Sequence, residues 1–376
     1  MSIMIEEVST KKNFKQFVDF PYSLYKGNKY FVPPLKFDEA ATLDRKKNPA
    51  FDYCEARMWI ATDNEKVVGR VAGILNHAFI EKWGKRYLRF GWLDFVDDQE
   101  VAEKLLARVE AWAREKKCEA IHGPMGFTDL DHEGMLVEGF EETGTLATIY
   151  NYPYYPKHLE KLGFLKDTDW KEFLIKVPNE MPEKVERLAS IIEKKYQLKT
   201  LKAKNPKEVL HYAPQIFDLI NRSYAHLYGV VELTDKQIAY YTKLYFSFIR
   251  TDYLSLVTDA EQKLIAFAIT MPSLSAALQK GRGRLFPFGF LYLLFAMRKN
   301  KLADMNLVAV HPEWQGKGVN AILMREITEN YMKNGILYAE TNPELEDNLA
   351  VQSLWAYYEG RQHKRRRCYI RHLKSS

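Results

Sequence analysis

The run Val308-Ala-Val-His-Pro-Glu-Trp-Gln-Gly-Lys-Gly-Val-Asn-Ala321 joins an apolar strand pattern to a helical one through two glycines and a lysine. Gly316 and Gly318 let backbone come close to a ligand, and the unpaired N–H groups of a helix's first turn point at it. An anion belongs at such a junction, and Lys317 adds charge to it. The spacing matches neither Gly-x-x-x-x-Gly-Lys-Ser/Thr nor Gly-x-Gly-x-x-Gly, which excludes the nucleotide P-loop and the dinucleotide fingerprint. Two proton-transfer groups follow. Glu340 ends the next strand pattern and can act as a base, and Tyr358 lies in the helical pattern after it, where a phenol can act as an acid.

A second polar cluster, Thr128-Asp-Leu-Asp-His-Glu-Gly134, begins like a calcium loop, but its twelfth position is Phe140, which supplies no carboxylate. With the histidines otherwise scattered, no metal site is expected. Asp131, His132 and Glu133 read either as a loop that binds an amine acceptor or as a capped surface loop. The run Leu285 to Met297 is almost wholly apolar, with Arg282 and Arg284 before it and Arg298, Lys299 and Lys301 after it. At about 13 residues it is shorter than the roughly 18 a spanning helix needs, so no transmembrane segment is expected, and peripheral contact with lipid stays open. The run reads as core helix or as a wall, with Phe290, for an acyl chain or hydrophobic acceptor.

The chain has 376 residues, a net charge of +6, 47% hydrophobic and 28% charged residues, and three widely spaced cysteines. These values describe a globular, cytoplasmic protein without a disulfide framework, and Glu6 and Glu7 argue against a secretion signal at the start. The one dense basic run, Lys364 to Arg367, reads as a solvated edge strand or tail, or as an attraction for an anionic ligand. No nucleic-acid-binding module is present, so no nucleic-acid partner is expected.

The elements that must position these groups repeat. Trp59 to Ile74 reads as two strands around a polar turn, and Ser255 to Thr270 has the same layout. Each is followed by strand, helix and strand: Gly91–Val96, a helix with Val101, Leu105, Leu106, Val109 and Trp112 inward, then Ala120–His122; and Met305–Val310, a helix with Val319, Ile322, Leu323 and Ile327 inward, then Ile336–Glu340. A repeat this long predicts two α/β domains of mixed sheet, 1–178 and 179–376, with 179–206 forming a linker helix and first strand.

The sequence of strand, Val-x-Pro, and Gln-x-x-Gly resembles the pyrophosphate loop of the GNAT acyl-CoA acyltransferase superfamily, through Val310, Pro312, Gln315 and Gly318. The C-terminal Asn348 and Leu354, followed by a strand from Arg367, resemble that family's last helix and strand, with Trp355 where the family most often has a tyrosine. The N-terminal half is similar at Asn151, Tyr154, Tyr155 and Leu159–Phe164, but has acidic Asp97-Asp98-Gln99-Glu100 in place of the glycine loop. The resemblance implies two tandem GNAT-like domains that use acetyl-CoA or a longer acyl-CoA as co-substrate, bound only in the C-terminal half. It further implies that Val308, Ala309 and Val310 hold the pantetheine, that Gln315, Gly316, Lys317, Gly318, Val319, Asn320 and Ala321 hold the pyrophosphate, and that Asn348 contributes. The implied reaction is N-acylation of a small-molecule amine or hydrophobic acceptor. Trp355 and Asn320 leave a catalytically silent acyl-CoA sensor as an alternative, and a Fem-type aminoacyl transferase is another pairing of such folds.

Overall fold

In a computed structural model, residues 3–246 and 249–374 are described. The first strand–turn–strand expected from the repeat is present as β2 (Cys54–Asp63) and β3 (Lys66–Asn76), with β1 (Met4–Glu7) beside β2. Asn64 and Glu65 both take positive φ in the turn, as a tight hairpin requires. Helices α1 (Lys11–Leu24), α2 (Lys36–Thr42) and α3 (His77–Trp83) precede β4 (Tyr87–Phe95). Then come α4 (Gln99–Glu115), β5 (Ala120–Gly123), β6 (Met135–Glu138), α5 (Tyr154–Lys161) and β7 (Leu165–Lys176). Helix α4 buries the predicted stripe, Val101, Leu105, Leu106, Val109 and Trp112, and it links the parallel strands β4 and β5.

The second half runs α6 (Glu183–Tyr196), β8 (Lys199–Leu201), α7 (Pro206–Tyr224), α8 (Asp235–Tyr245), β9 (Leu254–Thr258) and β10 (Leu264–Pro272). It continues with α9 (Ser275–Gly281), α10 (Gly289–Arg298), β11 (Leu302–Val310) and α11 (Val319–Asn334). The last elements are β12 (Tyr338–Thr341), β13 (Glu344–Leu345), α12 (Leu349–Gln352) and β14 (Gly360–His372). Gly335 ends α11 in the left-handed conformation, as its position predicts.

The compact units differ from the sequence boundary at 178. One comprises Met1–Lys171, Leu274–Leu293 and His363–Ser376; the other comprises Glu172–Ser273 and Leu294–Gln362. In the first, the strand order is β1-β2-β3-β4-β5-β14; in the second it is β8-β9-β10-β11-β12-β7. Each therefore closes on a strand encoded in the opposite half of the sequence, which periodicity within one half cannot reveal.

Two further expectations are corrected. The basic run is no solvated tail, because β14 is paired with β5, and Lys364 and Arg366 are 1% and 0% exposed. Lys364 donates to the Thr143 carbonyl, Arg366 to that of Ile149, and Arg367 to both oxygens of buried Asp169. Burial pushes the Asp169 carboxyl up, but Arg367, Lys166 and Arg365 outweigh it and hold it below the ordinary range. The last helix, which the resemblance places from Asn348 through Leu354 and Tyr358, also stops early. Residues Leu349–Gln352 are α-helical, Ser353–Tyr357 form a 3-10 turn, and Tyr358 is already extended.

Candidate active site

The geometry begins with a gap between two parallel strands. β11 and β12 pair over Leu302–Met305 and Tyr338–Thr341. At Asn306 the register of β11 against β10 slips by one residue, and such a bulge bends a strand. Asn342 holds the fork, its backbone N–H donating to the Met305 carbonyl at 3.2 Å and its side chain to that of Asn306 at 2.8 Å. His311 N–H donates to Ile265 of β10, so by strand alternation the polar groups of Val308 and Val310 face the other edge, which β12 has left. There the Val308 carbonyl accepts from the Tyr224 hydroxyl at 2.8 Å, and that of Val310 accepts from Ser223 Oγ at 2.9 Å and Gln315 Nε2 at 3.1 Å.

The loop after β11 is exposed, and it opens α11 without a side-chain cap. Gly316 and Gly318 have φ of 73° and 84°. A Cβ on Gly318 would lie 3.1 Å from Ile192 of α6, whereas one on Gly316 would meet open space. The Lys317 ammonium sits 4.8 Å from the Trp314 ring centroid, and that ring meets Tyr196 edge-on at 5.5 Å. The first turn of α11 contains no acidic residue. The lack of a side-chain cap at its start, the positive end of the helix dipole and Lys317 together suit an anion such as a pyrophosphate. Val308 to Val310 and Gln315 to Ala321 thus form one continuous feature. Asn348 caps α12, accepting from Val351 N–H at 3.4 Å.

Glu340 is 4% exposed on β12, with the carboxylate of Glu172 within 4.8 Å of its own. Tyr358 shares a pocket with Met305, Met324, Tyr331 and Trp355, and its hydroxyl pairs with Thr328 Oγ1 at 3.0 Å beside the middle of α11. The chain is already extended at Tyr358, so this residue lies past the last turn rather than within a helix. Burial pushes its phenol above the ordinary value, and the Thr328 bond offsets this only in part.

Sequence reasoning passed over Glu344. Its two oxygens accept from Trp355 Nε1 at 3.0 and 3.2 Å, so the tryptophan at the family's tyrosine position is tied to a carboxyl just past the end of β12. Burial pushes that carboxyl up to about 8, against hydrogen bonds from Trp355 and Thr341. No spacing rule flags a pair eleven residues apart in an irregular segment.

In the first unit, Asp131 accepts from Phe127 and Thr128 N–H at 2.8 and 3.0 Å, and His132 Nε2 bonds the Leu146 carbonyl at 2.9 Å. Burial raises the Asp129 carboxyl to about 6 and holds Glu133 well above its ordinary range, with Arg89 opposing both shifts. His132 also lines a pocket with Glu39, Arg70, Trp92, Asp94 and Tyr150. Phe290 lies on α10, an exposed helix rather than a core one.

Comparison with known proteins bears on the fold. Residues 213–356 match the acetyltransferase (GNAT) family. The chain resembles a tandem GNAT protein from the clavulanic acid biosynthesis pathway with a TM-score of 0.59 at 14% identity, covering 100% of both chains. Its fold is therefore that of a tandem GNAT protein. Among curated proteins it is 24% identical to Protein YghO of Escherichia coli (strain K12), over 98% of this chain and 95% of that one. It is 22% identical to a bacterial ceramide synthase of Caulobacter vibrioides, over 97% and 96%. Among the described residues, no helix is long and apolar enough to cross a membrane.

Proposed function

We propose that the chain is an acyl-CoA-dependent N-acyltransferase whose acceptor is the amine of a long-chain, lipid-like molecule. The observation that carries the acyl-CoA half of this reading is the uncapped start of α11 behind Gly316 and Gly318, next to the outward edge of β11. The acceptor half rests on the full-length similarity to a protein named a ceramide synthase, since a ceramide is a long-chain amino alcohol acylated on nitrogen. In the reaction the amine nitrogen attacks the thioester carbonyl, the C–N bond forms and the C–S bond breaks. The nitrogen loses a proton and the thiolate gains one. A backbone N–H on the open edge of β11 polarises the carbonyl.

Glu344 suits the donor role better than Tyr358. Raised to about 8, its carboxyl is mostly protonated at neutral pH and close to a thiol in strength, whereas Tyr358 is a weaker acid than an ordinary phenol and is engaged with Thr328. Glu340, buried beside Glu172, suits holding the end of β12 rather than meeting an amine. Trp355 favours a second reading, a silent acyl-CoA sensor. Incubation with acetyl-, medium- and long-chain acyl-CoAs and a long-chain amino alcohol separates the two. Thiol release with an amide product detected by mass spectrometry supports the transferase, saturable binding without release supports the sensor, and no binding removes both.

A further inference from the structure

We propose that α10 and the turn before it dock the protein on the surface of an anionic lipid bilayer. Phe286, Phe295, Phe288 and Leu294 are 77%, 67%, 60% and 52% exposed, and Phe290, Leu291 and Tyr292 are exposed beside them. Phe288, Leu291 and Phe295 succeed one another at helical spacing, forming a single stripe. So much contiguous apolar surface marks an interaction site.

The ends of the segment are hydrogen-bonded to neighbouring backbone within their own units. On one side Lys36 N–H donates to the Gly283 carbonyl at 3.0 Å and Gln279 to that of Lys29 at 2.8 Å; on the other, Asn300 donates to the Ser273 carbonyl at 2.6 Å.

Charge decides what covers it. Arg282, Arg284, Arg298, Lys299 and Lys301 are all exposed, and no Asp or Glu occurs from Arg282 to Lys301. A second copy meeting the same patch across a two-fold axis would bring like charges together. A leaflet with acidic headgroups supplies the complement: apolar rings enter the headgroup boundary while flanking Arg and Lys reach the phosphates. Ten residues make a helix of about 15 Å, which lies in the interface and does not cross it.

The inference does not depend on the acyltransferase reading, because it can be tested without acyl-CoA. The full chain is floated with phosphatidylcholine vesicles containing or lacking phosphatidylglycerol, at low and high salt. Binding to the anionic vesicles, weakened by salt, is expected. Phe288→Glu/Phe295→Glu and, separately, Arg298→Glu/Lys299→Glu should each weaken it about tenfold or more with unchanged thermal melting. Absence of wild-type binding to either vesicle overturns the proposal, as does undiminished binding by both variants. So does a concentration-dependent dimer that Phe288→Glu/Phe295→Glu dissociates while wild type ignores vesicles.

Discussion

The two strand–helix–strand units build their helix starts in opposite ways. At α4 the N-cap is Asp98, whose carboxylate accepts from Glu100 N–H at 2.8 Å, and Asp97 beside it pairs with His158 at 2.7 Å. At α11 the N-cap is Gly318, with no side chain to accept anything. The strands entering them differ in the same sense. Tyr155 and Tyr154 take the N–H and carbonyl of Phe95, at 3.1 and 2.6 Å, on the strand before α4. Before α11, hydroxyls take the Val308 and Val310 carbonyls. The first unit meets its helix start and a strand-end N–H with side chains; the second meets its strand-end carbonyls with side chains and starts its helix without a side-chain cap.

The most damaging test of that comparison separates the halves. Residues 1–178 lack β14, and with it buried Lys364, Arg366, Cys368 and Tyr369 of the first unit. We predict that this fragment shows no cooperative unfolding transition by circular dichroism. A sharp melt would mean that the exchanged strand is dispensable.

Next in size is Gly318→Val. A β-branched residue at φ 84°, with Ile192 at 3.1 Å from its Cβ, distorts the loop and blocks backbone approach, so CoA affinity should fall by about 100-fold or more in calorimetry. Wild type should bind one CoA per chain. Two equivalent sites, or an unaffected variant, would break the asymmetry.

Glu344→Gln probes the proton donor. Because the acid works only when protonated, turnover should fall as pH rises through about 8, and the variant should lose both that limb and about 10–100-fold in kcat, with CoA affinity kept. Its raised carboxyl also makes the folded state hold a proton that the unfolded chain releases near 4.5. Wild-type stability should therefore decline between about 4.5 and 8, less so in the variant. An identical pH profile for both proteins removes Glu344 from the mechanism.

The sequence made these comparisons visible only where the determinants are local. The glycine loop, the α4 and α11 stripes and the duplicated hairpins follow from spacing and period within a few turns of chain. The strand exchange is non-local: β14 reads as a solvated edge strand or tail until Asp169 and the Thr143 and Ile149 carbonyls are placed against it. The apolar run at 285–297 misleads in the other direction, since hydrophobicity alone implies burial and its exposure depends on what packs there. Glu344 was hidden because its significance comes from burial and Trp355, neither of which spacing encodes.

The smallest effect is the most discriminating about why the first unit lacks a CoA motif. Asp98→Ala removes the cap of α4 and should cost about 1 kcal/mol, lowering the melting temperature by roughly 2–4 °C. If the acidic cap alone excluded a phosphate, this variant would gain a second, weak CoA site. We predict that it does not. Asp97 and Glu100 still place negative charge at the helix start, and Tyr155 still occupies the Phe95 N–H, so neither the helix end nor the strand edge is released. Calorimetry of Asp98→Ala should give an unchanged stoichiometry of one. A second binding event would show that one side chain separates the two units, whereas a single site places the difference in the whole network of tyrosines and carboxylates around the end of β4.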